Sequence, residues 1–269
     1  MNDIIKVIIL GIVEGLTEFL PISSTGHLII VNEFINFTGS FANMFDIVIQ
    51  LGAILSVIVY FWRKLSPFGN NKTSLEKNET WEIWKKTIIG VFPALILGSI
   101  FGKHIKNYLF NPITVSSALV IGGIVLIIIE RREMRSQITT ISTLNYKTVF
   151  YIGMIQCLAM IPGTSRSAAT IIGAMLLGAS RLVAAEFSFF LAIPTLFAAS
   201  VYSLLKINFN LNIFQIELLI IGFIVSFLVA WIVIAKFIKF ISKHDFKFFG
   251  YYRIVLGIFV IIYFIKDKF

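Results

Sequence analysis

The sequence predicts an all-α polytopic membrane protein: six transmembrane helices plus two re-entrant helical hairpins in an inverted-topology repeat. Three observations predict it. Hydrophobic residues make up 58% of the chain and charged residues 14%, with a mean hydropathy of +0.91; a soluble domain is about 25% charged. Apolar runs long enough to cross ~30 Å of hydrocarbon recur along the chain, too long and too little alternating for a β-barrel. Two further apolar segments are each broken by a proline and carry a hydroxyl-rich tip.

The elements follow in order. Residues 4–20 are apolar but contain Glu14 and Glu18, which does not fit the h-region of a cleavable signal peptide. Pro21 ends this run, Ser23-Ser24-Thr25-Gly26-His27 follows, and Leu28 to Val31 begin a second apolar run. Neither piece can cross the bilayer, so the segment about 4–35 is expected to enter and return. Such backbone is tolerated at membrane depth where protein buries it or it lines a wet cavity. Residues 43–62 form the first span, with Asp46 and Gln50 near one end. A polar loop is expected from Arg63 to Lys86. Spans at about 87–103 and 113–130 precede a basic loop over 131–147. A second hairpin at about 148–180 repeats the first pattern. Spans at about 183–205 and 215–236, a basic loop from Lys236 to Arg253, and a last span at about 252–268 complete the chain. The whole reads as a single membrane domain, 1–269, with repeat one at about 1–110 and repeat two at about 148–240.

Charge sets the orientation. If both hairpins return to their own side, sixteen Lys and Arg residues gather on one side and six on the other, leaving Arg166. Cytoplasmic loops are the basic ones, so both termini are expected outside the cytoplasm. The first hairpin then enters from outside and the second from the cytoplasm. The net charge of +9 belongs to these loops, and no nucleic-acid partner is expected. The only cysteine, Cys157, excludes a disulfide within the chain.

The halves also match by motif. Gly11-x-x-Glu14 followed by Pro21-Ile22-Ser23-Ser24-Thr25 parallels Gly153-x-x-Gln156 followed by Pro162-Gly163-Thr164-Ser165-Arg166, with one residue gapped. Asp46 and Glu186 fall at corresponding distances after the two prolines. Hairpins entering from opposite sides define an inverted repeat about an in-plane pseudo-twofold axis.

The chemistry starts from Arg166. An arginine at the centre of a lipid-facing helix costs roughly 2.5–3.5 kcal/mol, so this one needs a partner. A guanidinium beside hydroxyls suits an oxyanion. Each tip is a proline-broken turn at a helix start, and helix N-termini carry free N–H groups and partial positive charge. Two such tips with Arg166 between them suit a phosphate or diphosphate, with Gly163 in the turn and Ser165, Ser167 and Thr170 as further donors. Glu14 and Glu18 share a helix face. Their mutual repulsion calls for a metal ion, a pairing with Arg166, or a retained proton. His27 stands beside the same tip as a candidate for proton transfer. Carboxylates, a histidine, serines and a phosphate-binding arginine make a hydrolase set.

These motifs, Glu14-x-x-x-Glu18, Pro21-Ile22-Ser23-Ser24-Thr25-Gly26-His27 and Pro162-Gly163-x-Ser165-Arg166-Ser167-x-x-Thr170, resemble the signatures of the undecaprenyl-diphosphate phosphatases of the bacitracin-resistance type. The resemblance extends over the whole chain, in length, hairpin order and spacing. It implies a bacterial inner-membrane enzyme that removes the terminal phosphate of the C55 isoprenyl diphosphate, returns the carrier to cell-wall synthesis and confers bacitracin resistance. It also implies dependence on Mg2+ or Ca2+, and a homodimer. Carried over by position, Glu14, Glu18, Ser24, His27, Ser165, Arg166 and Thr170 form the active site. Arg166, Ser165 and Thr170 bind phosphate. Glu18 and His27 are candidates for base and acid. Glu14 holds metal or orients Arg166, and Ser24 is the candidate nucleophile, with metal-activated water as the alternative. A different class, a transporter or flippase of a lipid phosphate or small anion, would use the same inverted-repeat architecture.

Overall fold

The computed structural model describes residues 2–69, 72–132, 136–206 and 211–266. Among them the chain is helical, and the extended pairing is a single isolated bridge between Ile138 and Ala179. The helices are α1 (Asp3–Thr17), α2 (Ser24–Ile35), α3 (Ser40–Tyr60), the single turn α4 (Trp62–Leu65), α5 (Ser74–Leu109), α6 (Pro112–Arg131), α7 (Tyr146–Gln156), α8 (Arg166–Leu176), α9 (Arg181–Leu204), α10 (Ile213–Ile241) and α11 (Lys247–Lys266). A 3-10 turn, Cys157–Met160, prolongs α7. Six helices, α3, α5, α6, α9, α10 and α11, are long and apolar enough to cross a membrane. The chain is a multi-pass, all-helical protein. Helices α1, α2, α7 and α8 have 15, 12, 11 and 11 residues. At about 1.5 Å per residue none of these reaches across ~30 Å of hydrocarbon.

Three expected boundaries move. The polar loop placed at Arg63–Lys86 is largely helix, because Thr73 and Glu76 form a capping box that starts α5 at Ser74. The capping box satisfies the first free N–H groups, so the polar turns that follow are helix rather than loop. The loop placed at Lys236–Arg253 contracts, since α10 runs to Ile241 and α11 begins at Lys247. Arg253 is therefore no loop charge: it is fully buried within α11. Helix α1 stops at Thr17, before Pro21, with Glu18 as its C-cap. Arg135 and Lys268, which entered the charge count, lie outside the described residues.

Packing is reciprocal between the halves. Helices α1 and α3 pack on α10, while α7 and α9 pack on α5; α6 packs on α11, and α3 on α9. Lipid tails are as apolar as leucine, so contacts between spans rest on close fit rather than water exclusion. Glycines supply that fit at matched places. A methyl group at Gly11 would meet the Gly222 carbonyl of α10, and one at Gly153 would collide with the Gly90 carbonyl of α5. The core between α3, α9 and α10 is aromatic. Phe19 stands edge-on to Phe189, with centroids 5.3 Å apart, and Phe61 edge-on to Phe190 at 5.1 Å. At the far end, the buried Glu130 carboxylate accepts from Arg181 and from the Phe246 N–H, joining α6, α9 and the α10–α11 turn.

Candidate active site

Two short turns meet inside the bundle. Each ends in a serine with a left-handed backbone: Ser23 at φ 74° and Ser165 at φ 70°. Each serine caps the helix that follows. Ser23 Oγ accepts the Gly26 N–H at 3.3 Å and Ser165 Oγ accepts the Ala168 N–H at 3.2 Å. A non-glycine residue in this region costs about 1–3 kcal/mol and persists only where its surroundings hold it. Gly163, at φ 90°, sits against the Val115 carbonyl, where a methyl group would overlap it. The second turn thus needs glycine for backbone freedom and for close approach.

Glu18 is the junction. Ser24 Oγ donates to Glu18 Oε2 at 2.5 Å, and Arg166 Nη2 donates to Glu18 Oε1 at 3.1 Å. The pair is buried, with side chains 8% and 5% exposed for Arg166 and Glu18. Arg166 Nη1 donates to the Ser188 carbonyl at 3.0 Å, and its Cζ lies 5.7 Å from the Phe19 ring centre. One Arg166 donor, Nε, is buried without an acceptor. Glu14, one turn earlier on α1, is 1% exposed, and its Oε1 has no donor. A hydroxyl, a carboxylate and a guanidinium are thus joined across sequence separations that the motif reading brings together but cannot measure.

The remaining predicted residues take other places. Ser165 and Ser167 share a hydrogen bond at 3.0 Å, and Ser167 Oγ donates to the Leu20 carbonyl of the opposite turn at 2.8 Å. Thr170 Oγ1 bonds to the Arg166 carbonyl at 2.9 Å and to Ser188 Oγ at 2.6 Å. Ser167 and Thr170 are fully buried, and in this arrangement they fix the start of α8. His27 is half-buried. Its Nδ1 lies 2.7 Å from the Ser23 carbonyl, and its Nε2 lies 2.7 Å from the Tyr252 hydroxyl. A carbonyl only accepts, so Nδ1 holds the proton and Nε2 accepts from Tyr252. Asp46 accepts from Asn32 at 3.1 Å, whereas Glu186 is held by Lys64 at 2.8 Å.

Two cavities reach the centre. One, of about 370 Å³, is lined by Glu14, Ser24, Asn32, Asp46 and Gln50. The other, of about 450 Å³, is mostly apolar and runs between α5 and α9 to Gln156 and Arg166. Glu186 instead faces a cleft of mixed charge, lined by Arg63, Lys64, Lys72 and Lys86 and by Glu76, Glu79 and Glu82. The matched acids therefore separate: Asp46 lines a cavity of the centre and Glu186 does not.

The charge reading also missed residues. Arg253 reaches both turns, donating to the Pro21, Gly163 and Thr164 carbonyls. Its place in a stretch rich in lysine disguises it as a loop cation. Ser188, hydrogen-bonded to Arg166 and Thr170, carries no sequence signal at all.

A carboxylate oxygen is the ligand type a hard divalent cation takes. Glu14 offers an oxygen without a donor, while both Glu18 oxygens are engaged. Among the described residues there is no cluster of three His, Cys, Asp or Glu that could hold a metal. Magnesium is commonly bound by one or two carboxylates together with substrate phosphates, and Glu14 suits that arrangement.

Fold and centre define a class: a multi-pass membrane protein with a buried carboxylate–hydroxyl–guanidinium site. The chain belongs to the family described as Bacitracin resistance protein BacA, which matches residues 7–259. It is 52% identical over 264 residues to undecaprenyl-diphosphatase 1 of Clostridioides difficile (strain 630), covering 97% of this chain and 96% of that one. It is 48% identical over 266 residues to undecaprenyl-diphosphatase of Enterococcus faecalis, with the same coverage. It is also 50% identical over 271 residues to undecaprenyl-diphosphatase of Limosilactobacillus fermentum, covering 98% of each chain.

Proposed function

We propose that the protein hydrolyses undecaprenyl diphosphate to undecaprenyl phosphate and inorganic phosphate. The observation that carries this reading is the Ser24–Glu18–Arg166 junction: a hydroxyl within hydrogen-bond reach of a carboxylate that a phosphate-type cation orients. A nucleophile beside a base, itself held by a third group, is the arrangement of covalent catalysis. A transporter needs charge balance for the same anion, but not a hydroxyl donating to a buried carboxylate.

In the reaction, Ser24 Oγ attacks the terminal phosphorus and Glu18 takes the hydroxyl proton. The bond from phosphorus to the bridging oxygen breaks, and undecaprenyl phosphate leaves with that oxygen. Water then cleaves the phosphoserine and restores Ser24. Arg166 supplies positive charge to the equatorial oxygens, and its unpaired Nε gives them a donor. The N-termini of α2 and α8 add N–H groups and partial charge. Ser165, Ser167, Thr170 and Gly163 set the second turn around the phosphate. His27 is the candidate acid, through the proton on Nδ1 or one relayed through Tyr252. Glu14 would hold Mg2+ or Ca2+ through its open oxygen, and the ion would neutralise diphosphate charge there.

The two short helix pairs, α1–α2 and α7–α8, are on this reading re-entrant hairpins entering from opposite sides, and the halves form an inverted repeat. The matched serine caps and the reciprocal packing support it. The protein then lies in a bacterial inner membrane with both termini extracytoplasmic, recycles the cell-wall lipid carrier, and confers bacitracin resistance. A homodimer follows from the family resemblance.

The test uses purified protein in detergent, where no second compartment exists. Phosphate release from C55 isoprenyl diphosphate is expected with Mg2+ or Ca2+, is lost on chelation, and returns when the ion is restored. No release with either ion removes the enzyme reading and leaves transport.

A further inference from the structure

We infer that Arg253 is a positioning residue for the diphosphate site, fixing the two turns against each other and placing a buried positive charge beneath them. The inference rests on the hydrolase reading above and deepens it. Arg253 is 0% exposed. Its guanidinium makes five hydrogen bonds: Nε to the Leu119 carbonyl at 3.3 Å, Nη1 to Pro21 at 3.2 Å, and Nη2 to Ala118 at 3.1 Å, Gly163 at 3.2 Å and Thr164 at 2.9 Å. All five acceptors are backbone carbonyls, and none is a carboxylate.

Three consequences follow from that list. Pro21 belongs to the first turn, and Gly163 and Thr164 to the second, so one planar group sets the distance between turns 142 positions apart. The separation is that of the two capping serines, Ser23 and Ser165. The carbonyls being neutral, the charge of Arg253 is not cancelled locally, and in a low-dielectric interior it acts over a longer range than in water. It bonds to the same turns whose helix N-termini would meet the phosphate on the hydrolase reading. The fork geometry is also specific to arginine, because lysine offers a point charge with three donors.

The surroundings are built to admit the group. A methyl at Gly122 of α6 would overlap the Arg253 guanidinium, and one at Gly123 would crowd both its stem and the Gly250 carbonyl. The three heavy atoms nearest a methyl at Gly122 all belong to the Arg253 guanidinium, so Gly122→Ala displaces that group without substituting any site residue.

The experiment measures phosphate release from C55 isoprenyl diphosphate, inhibition by methylenediphosphonate, and the thermal midpoint in detergent. It compares the wild type with Arg253→Lys, Arg253→Gln, Gly122→Ala and the control Gly102→Ala, where a methyl meets nothing within 4 Å. Arg253→Lys and Gly122→Ala are expected to lower kcat about 100-fold, the scale of an ångström misplacement. Methylenediphosphonate affinity should stay within about threefold of wild type in these two, which keep the charge, and fall about tenfold or more in Arg253→Gln, as for a lost buried charge contact. Retained kcat in Arg253→Lys and Gly122→Ala overturns the inference. So does a loss of kcat that tracks the thermal midpoint alone, with affinity unchanged in Arg253→Gln. If Arg253 variants fail to fold, Gly122→Ala decides. An inactive wild type would instead remove the hydrolase reading itself.

Discussion

Single side chains carry the chemistry. Ser24→Ala removes the hydroxyl that donates to Glu18 at 2.5 Å. Turnover is expected to vanish while methylenediphosphonate still binds; near-normal phosphate release would transfer the attack to metal-activated water. Glu18→Gln leaves Arg166 buried without its carboxylate. Breaking a buried pair costs about 3–5 kcal/mol, so this variant should unfold earlier on heating as well as lose activity. A thermal midpoint equal to wild type would mean that Arg166 finds another partner. Tyr252→Phe removes the donor to His27 Nε2, a contribution of about 1 kcal/mol. Its effect should appear as an altered pH profile of kcat, and an unchanged profile would remove His27 from proton transfer. At this scale the sequence was informative about identity and poor about partners. Glu14, Glu18, Ser24 and Arg166 stand out because charges and hydroxyls are costly in an apolar run. Arg253 is equally costly but hides among lysines, and Ser188 meets Arg166 most closely through a backbone carbonyl that any residue possesses.

Helices and turns hold those side chains in place. The proline-broken pattern located both turns, yet it could not give their backbone: the left-handed conformation of Ser23 and Ser165 has no composition signal, since glycine would be the expected residue there. Boundaries moved where capping won over hydropathy. Thr73 and Glu76 carry α5 out of the apolar run, and Pro93 within that helix does not end it. Gly163→Ala tests the second turn. The methyl would overlap the Val115 carbonyl at a positive φ, so a loss of about 1–3 kcal/mol and of most activity is expected, measured by thermal unfolding and phosphate release. Gly153→Ala should destabilise by a similar amount through the Gly90 contact, but with activity retained per folded molecule, since overpacking costs about 1–3 kcal/mol without touching the centre. Equal catalytic losses in both variants would mean that α7 packing, rather than the turn, sets the rate.

For the whole molecule, six membrane-crossing helices were legible because hydropathy and length are one-dimensional quantities. The reciprocal packing of α1 and α3 on α10, and of α7 and α9 on α5, was not, because it depends on which glycine faces which carbonyl. Removing Arg253 from the loop charges leaves the asymmetry of lysines and arginines intact, so both termini are still expected outside the cytoplasm. Reporter fusions active only in the cytoplasm should be silent at either terminus, and a signal at both would invert the orientation. On the proposed reading, catalysis needs both turns. One turn brings Glu18 and Ser24, the other brings Arg166, and the two meet inside the bundle. The most direct test of that composite site is phosphate release from C55 isoprenyl diphosphate by purified protein, wild type against Arg166→Ala, with Mg2+ present. The account predicts one phosphate released per lipid by the wild type and at least a 100-fold slower release by the variant, the scale of a lost phosphate-stabilising group. Equal rates in the two proteins, or no release by either, would contradict it.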